Sequence, residues 1–452
     1  GMAIYKTWDI NELFSLIKKS YCYSELSKKD FFDIISYLSG EYELEKNNVY
    51  GKIWYDSETK QIGKRGKLAR VLYLTNIGTI PDESFVKVKL SSGEQIGAID
   101  EGFLERMKKG DVFVLGGMKY LYRYTRGMNL YVASAEHLSP TIPSWFSEML
   151  PLSFDSGLEI GKFREIINDK LILGESKKKI IKFITKYLYV REETANSIFD
   201  YFNEQFMFLR IPHKSLILIE SYKDPETEKN YLIFHSMYGR RVNDVLSRAL
   251  GFLIGKANKR DIEIGINDNS FYLAGESKIE ESFEKAYNYL NHENIEEILK
   301  EAIDKTDVLA KRFRHCAARS LMILRNYKGR RKTVGKQQMK SHFLFHAVKK
   351  ITNEFPILRE ARREVLEDLM DMKNAKKVIE EIKKGKIKIK MENTEIPSPF
   401  AINLILQGRS DLMRMEDRQE FLKRIHKEHL RIINKEEEEF DVYFKKPSKK
   451  SK

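Results

Sequence analysis

The residues of this chain that could do chemistry are mostly cations and flat rings. Lys64, Arg65, Lys67 and Arg70 crowd one short stretch, G-K-R-G-K-L-A-R. Ammonium and guanidinium groups at that density suit phosphate oxygens, and the amides of Gly63 and Gly66 could add donors. The competing reading is a solvated hairpin tip. Arg240 and Arg241 precede a helix cap at Asn243, and paired arginines at a helix N-terminus also suit a phosphate. Lys311, Arg312, Arg314, Arg319 and Arg325 run along one predicted helix, and the basic loop K-G-R-R-K, with Arg330 and Arg331, follows it. That helix needs Phe313, Ala317, Leu321 and Leu324 for its apolar face, so part of the basic row is simply its outer side. Trp145 lies in a proline-framed segment between Ser144 and Phe146. An exposed indole there could stack on one base, worth about 1–3 kcal/mol. Ile80 stands between Thr79 and Pro81 at a strand turn. An apolar tip in such a place could wedge between bases, although spacing alone favours core packing.

Other chemistries lack their residues. No G-x-x-x-x-G-K-[ST] loop occurs, and the nearest text, at 157–163, has the wrong spacing and no hydroxyl for magnesium. Asp82-Glu83-Ser84-Phe85 and Asp100-Glu101-Gly102-Phe103 open like an ATPase acidic box, but neither ends in His or Asp. The chain alone is therefore not expected to hydrolyse ATP, and no catalytic residue is assigned. His342 and His346 sit four apart and His426 and His429 three apart, without a suitable third ligand, so no metal is expected. No G-x-S-x-G elbow is present.

Composition agrees with a charged partner. The 452 residues carry a net charge of +14, which favours a polyanion. Charged residues make up 32% and apolar residues 42%, the balance of a soluble globular protein. No apolar run approaches a membrane span, and no signal-peptide pattern opens the chain. Cys22 and Cys316 are the only cysteines, which is no disulfide framework, so a reducing cytoplasm is the expected location. The first residue is Gly1, which points to a tag remnant or to a cut from something longer.

The elements that must position these residues change period along the chain. Residues 1–46 read as two amphipathic helices capped at Asp9 and Ser27, half of a winged-helix unit. Short β-branched or aromatic runs at 49–55, 69–74, 85–90, 95–99, 112–115, 119–124 and 130–133, separated by glycine turns, predict a small antiparallel barrel or sheet. One short helix is expected at 100–107. Helical stripes cover 158–208, and strands at 215–222 and 230–235 complete a helix, helix, hairpin order. A helix at 243–256 and a hairpin at 261–266 and 270–273 follow. Residues 276–434 read as almost wholly helical, including 308–324, 336–352 and 356–372, and the charged tail after 434 as frayed. The fold class is α+β, with winged-helix elements, a small antiparallel β-barrel or sheet, and a mostly helical C-terminal half.

Several runs resemble one family. N-I-G-T-I-P-D-E at 76–83, G-D-V-F-V-L-G-G at 110–117, I-P-S-W-F-S-E-M-L-P-L-S-F at 142–154 and Y-G-R-R-V-N-D at 238–244 are similar to the large-helicase-related, or Lhr-type, helicases of archaeal kind. F-R-H-C-A-A-R-S-L-M-I-L-R-N-Y-K-G-R at 313–330, F-P-I-L-R-E-A-R-R-E-V-L-E-D-L-M at 355–370 and P-S-P-F-A at 397–401 fit the same family in the same order. That family joins two RecA-like motor domains to a winged helix and a large domain of its own, similar in fold to winged-helix DNA glycosylases. The residue pattern divides the chain into 1–46, a β-rich barrel-like part at 47–140, a winged-helix-like part at 141–275, a helical part at 276–434 and a flexible tail at 435–452. The resemblance implies that the first is the end of the winged helix and that the large domain follows. The motor motifs do not occur in these residues. ATP, magnesium and 3′-to-5′ movement are thus implied for a parent enzyme in DNA repair or nucleic-acid processing, and no cofactor for this chain. Two residues carry over: Ile80 to the strand-separating position and Trp145 to the ring that stacks on the tracked strand. The implied partners are single-stranded or forked DNA, or an RNA–DNA hybrid, and motor domains in cis or in trans, with no membrane. The alternatives are a freestanding regulator that docks on a separate motor or another protein, and, by fold analogy alone, a glycosylase.

Overall fold

The structure is a computed structural model of the chain. It describes all residues except 80–84, 101–103, 105–106, 108, 127–128, 139–149, 226–227, 277–278, 305, 328, 333, 410–421 and 434–452. The architecture is α+β, and the chain divides into two compact units. The first holds residues 1–110, 120–135 and 303–368, and the second 111–119, 136–302 and 369–452.

The first unit begins as the winged-helix pattern predicts. Asp9 accepts the amides of Asn11 and Glu12 at 2.9 and 3.1 Å and starts the helix Ile10–Lys18. Ser27 accepts the amide of Asp30 at 3.0 Å and starts Lys28–Ser39, which stops at Gly40 with φ of 97°. Ile10, Leu13, Phe31 and Ile35 bury one stripe against Ile53 and Ile62 of the hairpin Ile53–Asp56 and Gln61–Lys64. The strand expected at 69–74 is instead a helix, Ala69–Asn76. The run A-R-V-L-Y-L has one β-branched residue and is short enough to satisfy either period, so tertiary contacts decide it. In the small sheet, Gln95–Asp100, Phe85–Leu90, Asn129–Ser134 and Met118–Arg126 lie side by side in that order. Val86, Val88, Leu130 and Val132 alternate inward and are fully buried. One neighbouring pair, Phe85–Leu90 with Asn129–Ser134, runs parallel. Most of the helix expected at 100–107 lies outside the described residues.

Three helices complete this unit: Asp307–Arg319, Val334–Ile351 and Pro356–Arg363, the last running on as a π-helical turn, Glu364–Leu369. Leu309, Phe313, Ala317, Val348, Phe355 and Leu358 are buried among them. Arg362 forks onto Asp304 at 3.0 and 2.9 Å. Arg359 reaches Asp30 and Asp33, and the Tyr37 hydroxyl donates to the carbonyl of Ser320 at 3.0 Å. These contacts join the opening helices to helices from much later in the chain. The helix expected at 308–324 ends at Arg319, because Leu321 turns at φ of 60° and the chain enters the hairpin Asn326–Tyr327 and Arg330–Arg331.

In the second unit, Phe154–Ile172, Lys177–Leu188 and Glu192–Phe208 pack Phe163, Ile167, Ile180, Ile184 and Phe202 into one core. A five-stranded sheet runs in the order Glu263–Ile266, Ser270–Gly275, Asn230–His235, Leu216–Lys223 and Lys388–Thr394. The first four are antiparallel, as expected. The fifth joins parallel and was not expected inside a helical half. Its period-two text, K-I-K-I-K, was readable, but it pairs with a strand far away in sequence. Two strands of this sheet contribute to a fully buried polar group. Glu220 takes His235 Nε2 at 2.5 Å, the amide of Ser398 at 2.9 Å and the Ser398 hydroxyl. This ties the P-S-P-F-A segment to the sheet.

Burial makes two of these polar groups testable. Glu220→Ala should leave His235 and Ser398 unpaired and lower stability by roughly 1–3 kcal/mol for each. Urea unfolding checks this, and Glu220→Gln, which keeps an acceptor, should lose less. His315 is half-buried on the helix Asp307–Arg319, and its pKa is pushed down to about 4 by burial, then by Arg314, Arg312, Lys311 and Arg319. An unfolded histidine titrates near pH 6.5, so between about 6.5 and 4 the unfolded chain binds the extra proton. Stability from this group is present above pH 6.5 and is lost as the pH falls towards 4. Thermal unfolding at pH 7.5 and pH 5 should show a smaller drop for His315→Asn than for the native chain.

Candidate nucleic-acid interface

The loop that carries Lys64, Arg65, Lys67 and Arg70 leaves the hairpin strand Gln61–Lys64 and enters the helix Ala69–Asn76. All four residues are exposed. Gly66 turns the loop at φ of 83°. Arg65 is partly engaged: its guanidinium donates to the carbonyl of Ser39 at 3.1 Å, and its amide to the carbonyl of Lys52 at 3.1 Å. Lys64, Lys67 and Arg70 have their charged ends in solvent. Opposite the loop, Trp54 pairs in register with Gly63 and covers it: a Cβ there would meet the indole at 2.7 Å. Trp54 keeps 38% of its surface exposed. This ring beside the cations was missed in the sequence; a Trp one hairpin turn from the basic loop was the available signal.

The helix Ala69–Asn76 has its last turn clamped. The Asn76 side chain accepts the amide of Asn326 at 2.8 Å and donates to the Asn326 carbonyl at 2.9 Å. The Asn326 side chain donates to the carbonyl of Thr75 at 2.6 Å. Arg325 closes the grip, its guanidinium donating to the carbonyls of Asn76, Ile77 and Gly78 at 3.0, 3.3 and 3.3 Å. The sequence placed Arg325 in a helical basic row; it lies beyond that helix and acts on main chain. The reciprocal asparagines could not be paired from sequence, because Asn76 and Asn326 are unremarkable singly. Ile80 itself lies outside the described residues, as does Trp145.

The remaining expected cations fall in three places. Arg312 and Arg319 turn towards buried Glu364, Arg312 at 3.7 Å and Arg319 in direct hydrogen-bond contact. Arg330 is exposed on the small hairpin, and the backbone of Arg331 pairs with Asn326. In the second unit, Arg240 and Arg241 open the helix Arg240–Asn258 after Gly239, whose φ is 80°. Arg240 is exposed, and the Arg241 guanidinium donates to the carbonyl of Met370 at 3.0 Å. Asn243 is no solvent-facing cap: it is fully buried and donates to the carbonyls of Ser236, Asn267 and Asp268 at 2.9, 3.1 and 3.3 Å. The structure thus brings the 64–70 loop, the 76–78 turn and the 325–331 hairpin into one unit, and holds the Arg240 pair in the other.

The histidine pairs have structural surroundings. His426 and His429 both meet Glu204, at 3.2 and 3.4 Å, and His429 Nε2 lies 2.8 Å from the carbonyl of Pro397. Among the described residues no group of three or more His, Cys, Asp or Glu could hold a metal ion. Burial pushes the Cys316 thiol up to about 12, which keeps it protonated and unreactive. Among the described residues, no helix is long and apolar enough to cross a membrane.

Comparison with known proteins gives these features a family. The winged-helix domain of the large helicase-related protein matches residues 1–142, and the DEAD/H-associated region matches 211–401. The ATP-dependent helicase Lhr-Core of Methanothermobacter thermautotrophicus is 50% identical over 427 residues, covering 94% of this chain and 49% of that protein. Lhr-Core protein 2 of Thermococcus barophilus is 41% identical, covering 96% of this chain and 50% of that protein. The chain therefore spans about half the length of these curated relatives. In fold it is similar to Mycobacterium smegmatis helicase Lhr, solved bound to ssDNA and AMP-PNP, with a TM-score of 0.64 at 21% identity, over 89% of this chain and 46% of that one. With the family's winged helix followed by its DEAD/H-associated region, and without motor motifs in its sequence, the chain belongs to the Lhr helicases as an Lhr-Core-like C-terminal region.

Proposed function

We propose that this chain is the nucleic-acid-engaging part of an Lhr-type ATP-dependent helicase, which holds the tracked single strand while a motor, in cis or in trans, pulls it in the 3′-to-5′ direction. The exposed cations Lys64, Lys67, Arg70, Arg240 and Arg330 hold phosphates without reading sequence. Arg65, Arg312, Arg319 and Arg331 add positive charge within the first unit, and Arg241 within the second. Trp145 stacks on a base of the tracked strand, and Ile80 splits the fork. The substrate is single-stranded or forked DNA, or an RNA–DNA hybrid, met during DNA repair or nucleic-acid processing. Of the five parts of the chain, the β-rich one at 47–140 bears the wedge.

One observation carries this reading: the turn at residues 76–78 is locked by Arg325 and Asn326 in the same unit as the exposed 64–70 loop. A wedge works only on a rigid mount, since a yielding tip follows the bases instead of parting them. The likeness in fold to an Lhr helicase solved with ssDNA supports it.

Fluorescence anisotropy with a labelled single-stranded oligonucleotide tests the proposal. Binding should fall steeply with salt, and Trp145→Ala should weaken it by about 1–3 kcal/mol. Equal binding by that variant removes Trp145 from the site, and no binding by the native chain removes the proposal. Arg325→Ala should leave single-strand affinity within a factor of about two, as Arg325 is engaged with main chain, yet slow strand separation once a motor is supplied. A forked-duplex unwinding assay reads this out; an unchanged rate would show that the clamp does not support the wedge.

A further inference from the structure

Three lysines converge in the first unit without an acidic partner among the described residues. Lys52 lies just before the strand Ile53–Asp56, Lys332 just after the hairpin strand Arg330–Arg331, and Lys340 within the helix Val334–Ile351. Each is half-buried. The Lys52 ammonium donates to the carbonyl of Tyr50, and the Lys340 ammonium to the carbonyl of Asn48 at 3.3 Å. Two carbonyls of one short segment therefore hold two like charges side by side. Each of these two ammonium groups has three donors and uses one of them here.

The surrounding backbone is built to bring them together. Asn48 turns at φ of 57°. Gly51 lets the segment press onto its neighbours, since a Cβ there would lie 2.5 Å from the carbonyl oxygen of Ser39 and 2.7 Å from the Arg65 guanidinium. The amide of Lys332 donates to the carbonyl of Arg325 at 2.8 Å, and the carbonyl of Lys332 accepts from the Gln337 side chain at 3.1 Å. Burial, then the Lys340 charge, push Lys52 down to about 8, and burial and Lys332 lower Lys340. A bound anion relieves like charges kept together at such a cost. Two exposed rings flank the cluster: Tyr50 at 57% and Tyr327 at 41%, the latter 5.7 Å from the Lys332 ammonium. Ammonium groups interleaved with accessible rings are the pattern for a single strand, one contacting phosphate and the other base.

We infer that Lys52, Lys340 and Lys332 form a phosphate seat for the backbone of a single-stranded nucleic acid. The seat links the clamp at Arg325, through Lys332, to the basic loop, through the Lys52 carbonyl and the Arg65 amide. It gives the strand a fixed path from the turn before Ile80 to Lys64. The inference rests on the proposed nucleic-acid function and adds the residues that set the strand's register in this unit.

The test uses the full chain and the double variant Lys52→Gln/Lys340→Gln, with Lys178→Gln, an exposed lysine of the second unit, as a control. Anisotropy with a single-stranded DNA oligonucleotide should show several-fold weaker binding by the double variant, and a salt dependence flatter by about 0.7 for each phosphate the variant no longer holds. Its melting temperature without ligand should equal or exceed that of the native chain, because the repulsion is gone; a purely structural role would lower it. Unchanged affinity and slope, with the native chain binding DNA, overturn the seat and leave the broader function standing. A second arm measures the thermal shift with inorganic phosphate and tripolyphosphate. If the native chain binds no nucleic acid, the proposed function fails, and this arm decides the seat. Stabilisation of the native chain but not of the variant supports a seat for free phosphates, and equal response of the two overturns it.

Discussion

Arg325 lies far from residues 76–78 in sequence, yet its guanidinium is turned onto their three successive carbonyls. A loop that follows a helix ordinarily leaves its last carbonyls to water and frays. Here a delocalised cation covers them, and the two asparagines on either side complete a reciprocal set of bonds. The first unit depends on this junction. It joins the segment that leaves the winged-helix-like start to the hairpin that follows the helix Asp307–Arg319.

The same physics sorts the large excess of positive charge. A guanidinium matches carbonyl and carboxylate geometry with several donors at once, so the buried and half-buried junctions use arginine. Arg359 joins Asp30 and Asp33, Arg362 joins Asp304, Arg319 joins Glu364, and Arg241 meets the Met370 carbonyl. Lys64, Lys67, Arg70, Arg240 and Arg330 are instead left exposed to solvent. A count of basic residues cannot separate these populations. Their partners can, and those partners lie far away in sequence.

The second unit has a different organising contact. Glu220, His235 and Ser398 are all removed from solvent, and an uncompensated carboxylate there would be costly. Three donors satisfy it, and in doing so they fix the segment after the unexpected parallel strand against the central strands of the sheet. The buried Asn243 does the equivalent work just beyond His235, holding three carbonyls around the start of the helix Arg240–Asn258. Both are polar interactions inside apolar surroundings, where a missing partner is penalised most, and so they specify one arrangement of the chain.

Much was legible in the one-dimensional text. Period and caps located the two opening helices, the strands at 230–235 and 270–273, and most helices after 276, because amphipathic stripes and capping side chains are local features. The family runs identified the Lhr relationship, and composition pointed to a polyanionic partner. What the text could not decide was anything settled by contacts between distant residues. The helix at 69–76 replaces an expected strand because its end is bound by residues 325 and 326. The strand Lys388–Thr394 exists because Leu216–Lys223 offers it an edge. Lys52 and Lys340 are single lysines with no pattern around them, and only the fold sets their ammonium groups on carbonyls of one short segment. Local preference is written along the chain, whereas the cost of burying a charge or leaving a carbonyl bare is known only once the neighbours are in place.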